Sequence, residues 1–204
     1  MSIKLYVEGG GDSKALTTDC RRGFRKFFEK AGLAGQMPRI RACGSRRSAY
    51  DDFKAALGNG SEVPMLLVDA EDPLTAGSSW EHLRHRAGDR WARPTGASND
   101  HCHLMVQVME SWFLADQPAL ESFFGQGFQP SALPRNPHIE QIRKADVLRG
   151  LTRATKRLET NRESYDKGSD SFEILGRIDP SRVESASPSA KQLLDVLRAG
   201  GPTS

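Results

Sequence analysis

The first part of the chain alternates between two hydrophobic periods, which predict strands and helices in turn. Residues 3–8, IKLYVE, alternate apolar and polar positions and are rich in residues that favour strands. From Ser13 onward, apolar residues recur every three or four positions with basic residues between them, so we expect an amphipathic helix that ends at Gly32. A second short strand is expected over residues 38–44.

The same alternation continues through the middle of the chain. A second helix is predicted after residue 44, with Ser45 or Ser48 as its N-cap. The nearly continuous apolar run over residues 63–72 is typical of a strand buried on both faces of a parallel sheet. Residues 101–116 begin as an apolar strand, to about residue 108, and then take a helical pattern.

The order of these elements is β-α-β-α-β-loop-β-α, followed by helices. It predicts an α/β fold with a mainly parallel central sheet and helices on both faces. We expect residues 1–117 to form the core that holds the sheet. Residues 118–204 are expected to form a C-terminal helical extension packed on the same domain, with helices over residues 139–158 and from Ser187 onward.

Composition narrows the class of protein. A chain of 204 residues with 37% hydrophobic and 27% charged residues can fold around one sizeable core. No apolar run approaches the ~20 residues needed to cross a bilayer, and the N-terminus carries no recognisable export signal. Three widely spaced cysteines fit a reducing compartment. We therefore expect a cytoplasmic protein that does not bind membranes.

Charge is unevenly distributed along the chain. Residues 1–56 carry 12 Lys and Arg against 6 Asp and Glu, and residues 135–204 carry 13 against 10. Between them, residues 57–134 carry 4 against 10. An acidic middle between basic ends suits an enzyme that gathers cations in a cleft and a polyanion around it. Ordinary variation of surface charge explains the same pattern equally well.

Acidic residues follow three of the four predicted strands. Because the carboxyl ends of parallel strands meet at one edge of a sheet, we expect these side chains to lie close together. Carboxylates at this density repel one another unless a cation neutralises them, and Mg²⁺ or Mn²⁺ prefers oxygen ligands. The alternatives are a plain turn after the first strand and a helix cap after the third. The candidate metal ligands are Glu8, Asp12, Asp69, Glu71, Asp72 and Glu110.

Two segments are candidates for contacts with a phosphate. The glycines after the first strand allow a close approach of the backbone and present N–H groups to an anion. The segment GSRR offers backbone N–H groups at a helix start together with two guanidinium groups, although a solvated N-cap is an equally good interpretation. The candidate phosphate-binding residues are Gly9, Gly10, Gly11, Ser45, Arg46 and Arg47.

The segment VMESWFLAD resembles an additional element of a stand-alone Toprim-like family, and two motifs, VEGGGD and LLVDAED, give the chain a resemblance to the Toprim fold. This Rossmann-like catalytic domain is shared by type IA and type II topoisomerases, bacterial primases and the nucleases of the overcoming-lysogenization-defect (OLD) family. The resemblance covers residues 3–116 well. It extends toward the C-terminus for a stand-alone bacterial Toprim-like family of unknown function, which is often encoded beside an ATPase.

The Toprim signature is a Glu after the first strand and a D-x-D after a later strand. Glu8 matches the first part and Asp69 matches the first Asp of the second. Glu71 stands where the second Asp is expected. Either Glu71 replaces that Asp, or Asp69 and Asp72 act together, which leaves the number of metal ions open.

The resemblance implies a nuclease that hydrolyses phosphodiester bonds in DNA or RNA with Mg²⁺ or Mn²⁺ as cofactor. Glu8 and Asp69 would be catalytic, and Lys167, or in its place Lys156, would neutralise the transition state. It also implies an ATPase partner and a role in bacterial antiviral defence. The alternatives are a non-catalytic binding or regulatory subunit of an ATPase complex and a metal-dependent phosphatase or nucleotidyl enzyme that acts on small nucleotides.

Overall fold

A four-stranded parallel sheet forms the centre of the molecule. The structure is a computed structural model, and it describes residues 2–11, 13–74, 77–158 and 164–202. The strands are β1 Ser2–Gly10, β2 Arg39–Gly44, β3 Glu62–Asp69 and β4 Cys102–Met105. All three strand pairings are parallel and the spatial order is β2-β1-β3-β4. The predicted α/β class is thereby confirmed.

Helices account for most of the remaining described residues. The α-helices are α1 Lys14–Phe28, α2 Arg46–Ala56, α3 Ser79–His85, α4 Gln117–Phe124, α5 Lys144–Ala154, α6 Ser171–Leu175, α7 Pro180–Ala186 and α8 Pro188–Arg198. A π-helical turn over Glu29–Leu33 follows α1. Short 3₁₀ helices cover Ala34–Gln36, Asn99–His101, Met109–Ala115, Pro130–Ala132 and Ile139–Gln141.

The helix start signals in the sequence are confirmed by side-chain caps. The Ser13 hydroxyl accepts a hydrogen bond from the N–H of Leu16 at 3.4 Å, at the start of α1. Of the two candidates for α2, Ser45 is the cap, because its hydroxyl accepts from the N–H of Ser48 at 3.0 Å. Such caps satisfy N–H groups that the first turn of a helix leaves free.

Two hydrophobic clusters cover the two faces of the sheet. Leu5 and Val7 of β1 pack in one cluster with Phe24 of α1. Tyr6, between them in the sequence, points to the other face and packs in a second cluster with Phe53 of α2. Alternate residues of a strand face opposite sides, so a strand buried on both sides needs apolar residues at consecutive positions. The predicted placement of helices on both faces is confirmed.

Two predicted elements are shorter than expected. The fourth strand ends at Met105, because Gln107 adopts a left-handed backbone with a φ of 60°, and a 3₁₀ helix replaces the expected α-helix after it. The helix predicted over residues 139–158 begins only at Lys144. The carboxylate of Glu140, just before it, accepts hydrogen bonds from Ser187 and Ser189 at the start of α8.

The C-terminal half of the chain shares a core with the sheet. The cluster that contains Leu5 also contains Leu151 of α5 and Leu194 of α8, all fully buried. Apolar residues from both sides of residue 117 therefore belong to one cluster. The boundary proposed at residue 117 stays a prediction. Among the helices of the described ranges, none combines the length and the apolar character that a membrane crossing requires.

Candidate metal centre

The acidic residues meet where the strand order reverses. The chain runs from β1 outward to β2, then returns to the other side of β1 and continues through β3 to β4. Ligands of doubly wound sheets bind at such a reversal, beyond the carboxyl ends of the strands. Val7 pairs with Leu67, so Glu8 and Asp69 follow at the ends of the two central strands. One carboxylate oxygen each of Glu8, Asp69 and Glu71 lies within 4.8 Å of the others.

Glu8 reaches across from β1 to the end of β3. Its Oε2 accepts hydrogen bonds from the N–H of Asp69 at 3.1 Å and from Nη1 of Arg46 at 3.3 Å. Burial raises the pKa of Glu8 above its ordinary value, although Arg46 and the Asp69 N–H act to lower it. Glu8 is thus a carboxylate fixed in position and able to accept a proton more readily than an exposed one.

Asp69 is the most deeply placed member of this group, with 5% of its surface exposed. Its Oδ1 accepts from the N–H of Met109 at 2.8 Å, and its Oδ2 lies 3.9 Å from Nζ of Lys167. Burial, and then the nearby charges of Glu8 and Glu110, raise the pKa of Asp69 well above its ordinary value. A bound cation would neutralise these carboxylates and so remove the repulsion between their charges.

Glu71 is held in an unfavourable backbone conformation by a ring of contacts. Its φ of 68° is left-handed, which is uncommon for a residue other than glycine and costs of order 1–3 kcal/mol. The N–H of Glu71 donates to the carbonyl of Gln107 at 2.8 Å. Oε1 of Gln107 accepts from the N–H of Lys144 at 2.9 Å, and Nζ of Lys144 pairs with Oε2 of Glu71.

Glu110 comes from the 3₁₀ helix after β4 and is fully buried. Its Oε1 accepts from the hydroxyl of Tyr165 at 3.0 Å and lies 3.5 Å from Nζ of Lys167. Its Oε2 has no hydrogen-bond partner within the described part of the chain. Buried carboxylate oxygens are rarely left without a partner, so this orphaned oxygen fits a site for a divalent cation.

Lys167 stands at the mouth of the site, with 54% of its side chain exposed. Burial acts to lower its pKa, but the charges of Glu110 and Asp69 outweigh that effect and raise it. Lys167 therefore stays charged near neutral pH. The alternative candidate, Lys156, is exposed after the end of α5, and it forms no ion pair with these acids in the described structure.

A cleft of about 260 Å³ opens onto Glu8, Asp69, Glu110 and Lys167. The three glycines line it, but packing already explains two of them. A Cβ on Gly9 would lie 3.0 Å from Cζ of Phe172, and one on Gly10 would lie 2.8 Å from Cα of Thr17. Phosphate binding by the backbone of Gly9, Gly10 and Gly11 stays a prediction.

The structure does not bring every predicted ligand to the site. Asp72 is directed elsewhere: 62% of its side chain is exposed, and its carboxylate pairs with Arg86 at 3.0 Å. The D-x-x-D alternative, which pairs Asp69 with Asp72, loses its support, because Glu71 and not Asp72 lies beside Glu8 and Asp69. Asp12 lies outside the described residues.

The two arginines of the GSRR segment are paired with acidic residues, whereas a phosphate site needs unpaired guanidinium groups. The Arg46 guanidinium binds both carboxylate oxygens of Asp89, at 2.8 and 2.6 Å, and also contacts Glu8 and the carbonyl of Asp69. Arg47 pairs with Asp51 on the surface of α2. The charge of Arg46 is therefore already balanced by acids, and phosphate binding by Ser45, Arg46 and Arg47 stays a prediction that these contacts disfavour.

Sequence reasoning missed three residues that build the site: Gln107, Lys144 and Tyr165. A single polar residue within the apolar run HLMVQVM is the one sequence signal that points to Gln107. Lys144 and Tyr165 have no such signal, because they reach the site from the C-terminal half through tertiary packing.

Comparison with known proteins adds a family but no activity. No curated protein and no solved structure matches the chain. The resemblance to the Toprim domain stays a prediction. One family model matches residues 7–198, nearly the whole chain, and the chain therefore belongs to the family described as a domain of unknown function, DUF4276.

Proposed function

We propose that the chain is a Mg²⁺- or Mn²⁺-dependent phosphodiester hydrolase, a nuclease of the Toprim type. The observation that carries the proposal is the convergence of Glu8, Asp69 and Glu71 within 4.8 Å at the carboxyl edge of the sheet. The orphaned oxygen of Glu110 supports it, because that residue neighbours Asp69 and lines the same cleft. Clustered buried carboxylates cost stability, so a binding role explains why they are found together.

The residues divide into distinct tasks. A divalent cation bound to Glu8, Asp69 and Glu71, with Glu110 beside them, would polarise a phosphate and lower the pKa of a water molecule. Lys167 has an exposed, flexible ammonium group that can turn from the carboxylates toward the charge of a phosphate. Alternatively, Glu8, whose pKa is raised by burial, would take a proton from an attacking water instead of binding the ion.

The first test is titration of Mn²⁺ into the protein by calorimetry. We expect the wild type to bind Mn²⁺ and the Asp69→Asn variant to lose binding. The matched control is Asp72→Asn, which removes a neighbouring acid that pairs with Arg86 outside the group. Equal loss in both variants, or equal retention, would contradict the site as described.

The second test measures cleavage of DNA, RNA and a small diester, bis(p-nitrophenyl) phosphate, with Mn²⁺ or Mg²⁺. We expect activity that chelation abolishes and that falls by about 100-fold or more in Glu8→Gln and Asp69→Asn. Cleavage that survives chelation would exclude the proposed mechanism.

A second candidate is a binding or regulatory subunit without catalysis. Its support is that Arg46 and Lys144 already pair with Glu8 and Glu71, so internal cations occupy part of the site. This candidate predicts no Mn²⁺ binding by the isolated chain and a stable complex with an ATPase. Size-exclusion chromatography with an ATPase encoded next to the gene distinguishes the two candidates. A stable complex that still does not bind Mn²⁺ would support the second candidate. A complex that binds Mn²⁺ would support the first.

A further inference from the structure

Two acids that line the cleft, Asp69 and Glu110, are buried, whereas Glu8 and Glu71 are only partly buried. Asp69 is 5% exposed and Glu110 is 0% exposed, whereas Lys167 at the mouth is half-exposed. A duplex carries its phosphates on a wide, stiff rod, so its phosphates reach only groups at the surface. A single strand is thinner and more flexible, so it can turn one base into the cleft and bring a phosphate to its mouth.

Part of the lining of the cleft is apolar. Leu16, Met105, Met109 and Phe172 line it together with the acids, and Met105 and Met109 lie directly beside Asp69. Apolar and aromatic side chains are the surfaces on which unpaired bases stack without regard to sequence, and methionine adapts to flat groups of different shape. The volume of about 260 Å³ falls just below the roughly 300–1,000 Å³ of pockets for drug-sized ligands. This is space for one small planar group.

A second hollow adjoins the cleft. It measures about 290 Å³ and is lined by Arg22, Gly23 and Lys26 of α1 with Phe172 and Glu173 of α6. Phe172 borders both spaces, so a strand that passes over this residue would run from the cleft to the hollow. Lys26 is exposed and forms no ion pair in the described structure, which leaves its charge for a phosphate.

Helices α1 and α6 are in close contact beside Phe172. A Cβ on Gly23 would lie 2.4 Å from the carbonyl oxygen of Phe172, so only glycine lets α6 approach α1 this closely. That approach places the ring of Phe172 against Gly9 at the end of β1. The boundary between cleft and hollow is therefore fixed by close backbone packing.

We propose that the site acts on single-stranded nucleic acid, with one unpaired base in the cleft and the next phosphates of the strand beside Lys26. The inference rests on the proposed hydrolase function and specifies its substrate. A free dinucleotide offers the same groups to the cleft, but it carries no further phosphates for the basic hollow on α1. The hollow therefore favours a polymer.

The test compares three substrates of the wild type with Mn²⁺: a labelled single-stranded 20-mer, the same 20-mer in a blunt duplex, and bis(p-nitrophenyl) phosphate. We expect kcat/KM for the single strand to exceed that for the duplex by at least about 10-fold. Equal cleavage of the duplex overturns the inference but leaves the hydrolase proposal intact. Cleavage of the small diester without either oligonucleotide also overturns it, and no cleavage of any substrate removes the hydrolase proposal together with it.

A charge reversal tests the path independently. Lys26→Glu should raise the KM for the single strand by about 10-fold with little change in kcat, because it repels the flanking phosphates without touching the acids. It should also weaken binding of a labelled single strand, measured by fluorescence anisotropy with Ca²⁺. The matched control is Lys54→Glu, which reverses an exposed charge on α2, across the sheet. Equal effects of the two variants, or none, would place the strand elsewhere.

Discussion

At the scale of one residue, the carboxylate of Glu110 carries a cost in stability that the proposed metal site would explain. One of its oxygens is held by Tyr165 and Lys167, while the other is buried without a partner in the described structure. An unsatisfied buried polar group costs of the order of 1–3 kcal/mol. Such a cost persists where the group serves a ligand, and the position of Glu110 beside Asp69 makes a cation the natural partner.

Tyr165 is the residue that orients Glu110, so its hydroxyl should matter for metal binding. We expect Tyr165→Phe to weaken Mn²⁺ binding by about 10-fold, because residues that orient a metal ligand typically contribute 10–100-fold to affinity. The measurement is the dissociation constant for Mn²⁺ by calorimetry.

Tyr50 provides the control for this prediction. Its hydroxyl donates to the carbonyl of Ala92 at 3.0 Å, on the opposite face of the sheet. Tyr50→Phe also removes one hydrogen bond, with a net cost of about 1 kcal/mol, but should leave the Mn²⁺ affinity unchanged. If both variants bind Mn²⁺ like the wild type, Tyr165 has no orienting role.

At the scale of elements, the start of α2 shows how two adjacent arginines differ. Arg46 is 14% exposed, stacks over the ring of Trp91 and joins α2 to Asp89, which is 2% exposed. Arg47 is 68% exposed and pairs with Asp51 one turn further along α2. Arg46 thus connects α2 to the segment after α3, whereas Arg47 makes only an exposed ion pair on the surface.

These contacts predict different costs of truncation. Arg46→Ala should lower the free energy of unfolding by about 3 kcal/mol, because it leaves the buried Asp89 with only Arg86 as partner. Arg47→Ala should change it by no more than about 0.5 kcal/mol. Urea unfolding followed by circular dichroism measures both. A cost for Arg46→Ala as small as that for Arg47→Ala would mean that Arg46 does not hold this junction and is available for a phosphate.

The elements were predictable where local signals decide them, and not where distant contacts do. The helical pattern from Ser13 and the serine at residue 45 predict the starts of α1 and α2, and the apolar run over residues 63–72 predicts the central strand β3. The left-handed turn at Gln107 could not be read in this way, because it depends on bonds to residue 140 and Lys144. For the same reason the sequence placed Glu8, Asp69 and Glu71 near one edge, but did not decide between Glu71 and Asp72.

At the scale of the whole molecule, both halves of the chain are needed to complete the site. Residues before 117 supply the acids, and Lys144, Tyr165 and Lys167 arrive from the C-terminal helices and turns. The two halves also share one hydrophobic cluster. Unfolding should therefore be a single cooperative transition whose free energy includes the repulsion among the clustered acids.

That repulsion gives the last prediction, which concerns stability against pH. The pKa of Asp69 is raised well above 3.8 and that of Glu8 above 4.5, because burial disfavours their charged forms. A carboxyl with a raised folded pKa contributes its full stability below the unfolded pKa and loses it as pH rises through the folded pKa. The metal-free wild type should therefore lose stability relative to Asp69→Asn as pH rises above about 4.

Thermal unfolding of both proteins in a chelating buffer, at intervals from pH 4 to pH 8, measures this difference. Mn²⁺ at 100 times its dissociation constant should then raise the free energy of unfolding of the wild type by about 2.7 kcal/mol. It should not change that of Asp69→Asn, since only the wild type binds the ion. Parallel pH curves without metal would show that Arg46, Lys144 and Lys167 already neutralise the acids. A gain with Mn²⁺ in both proteins would show that the ion binds outside the cluster, so the two comparisons separate the charge of the site from its occupancy.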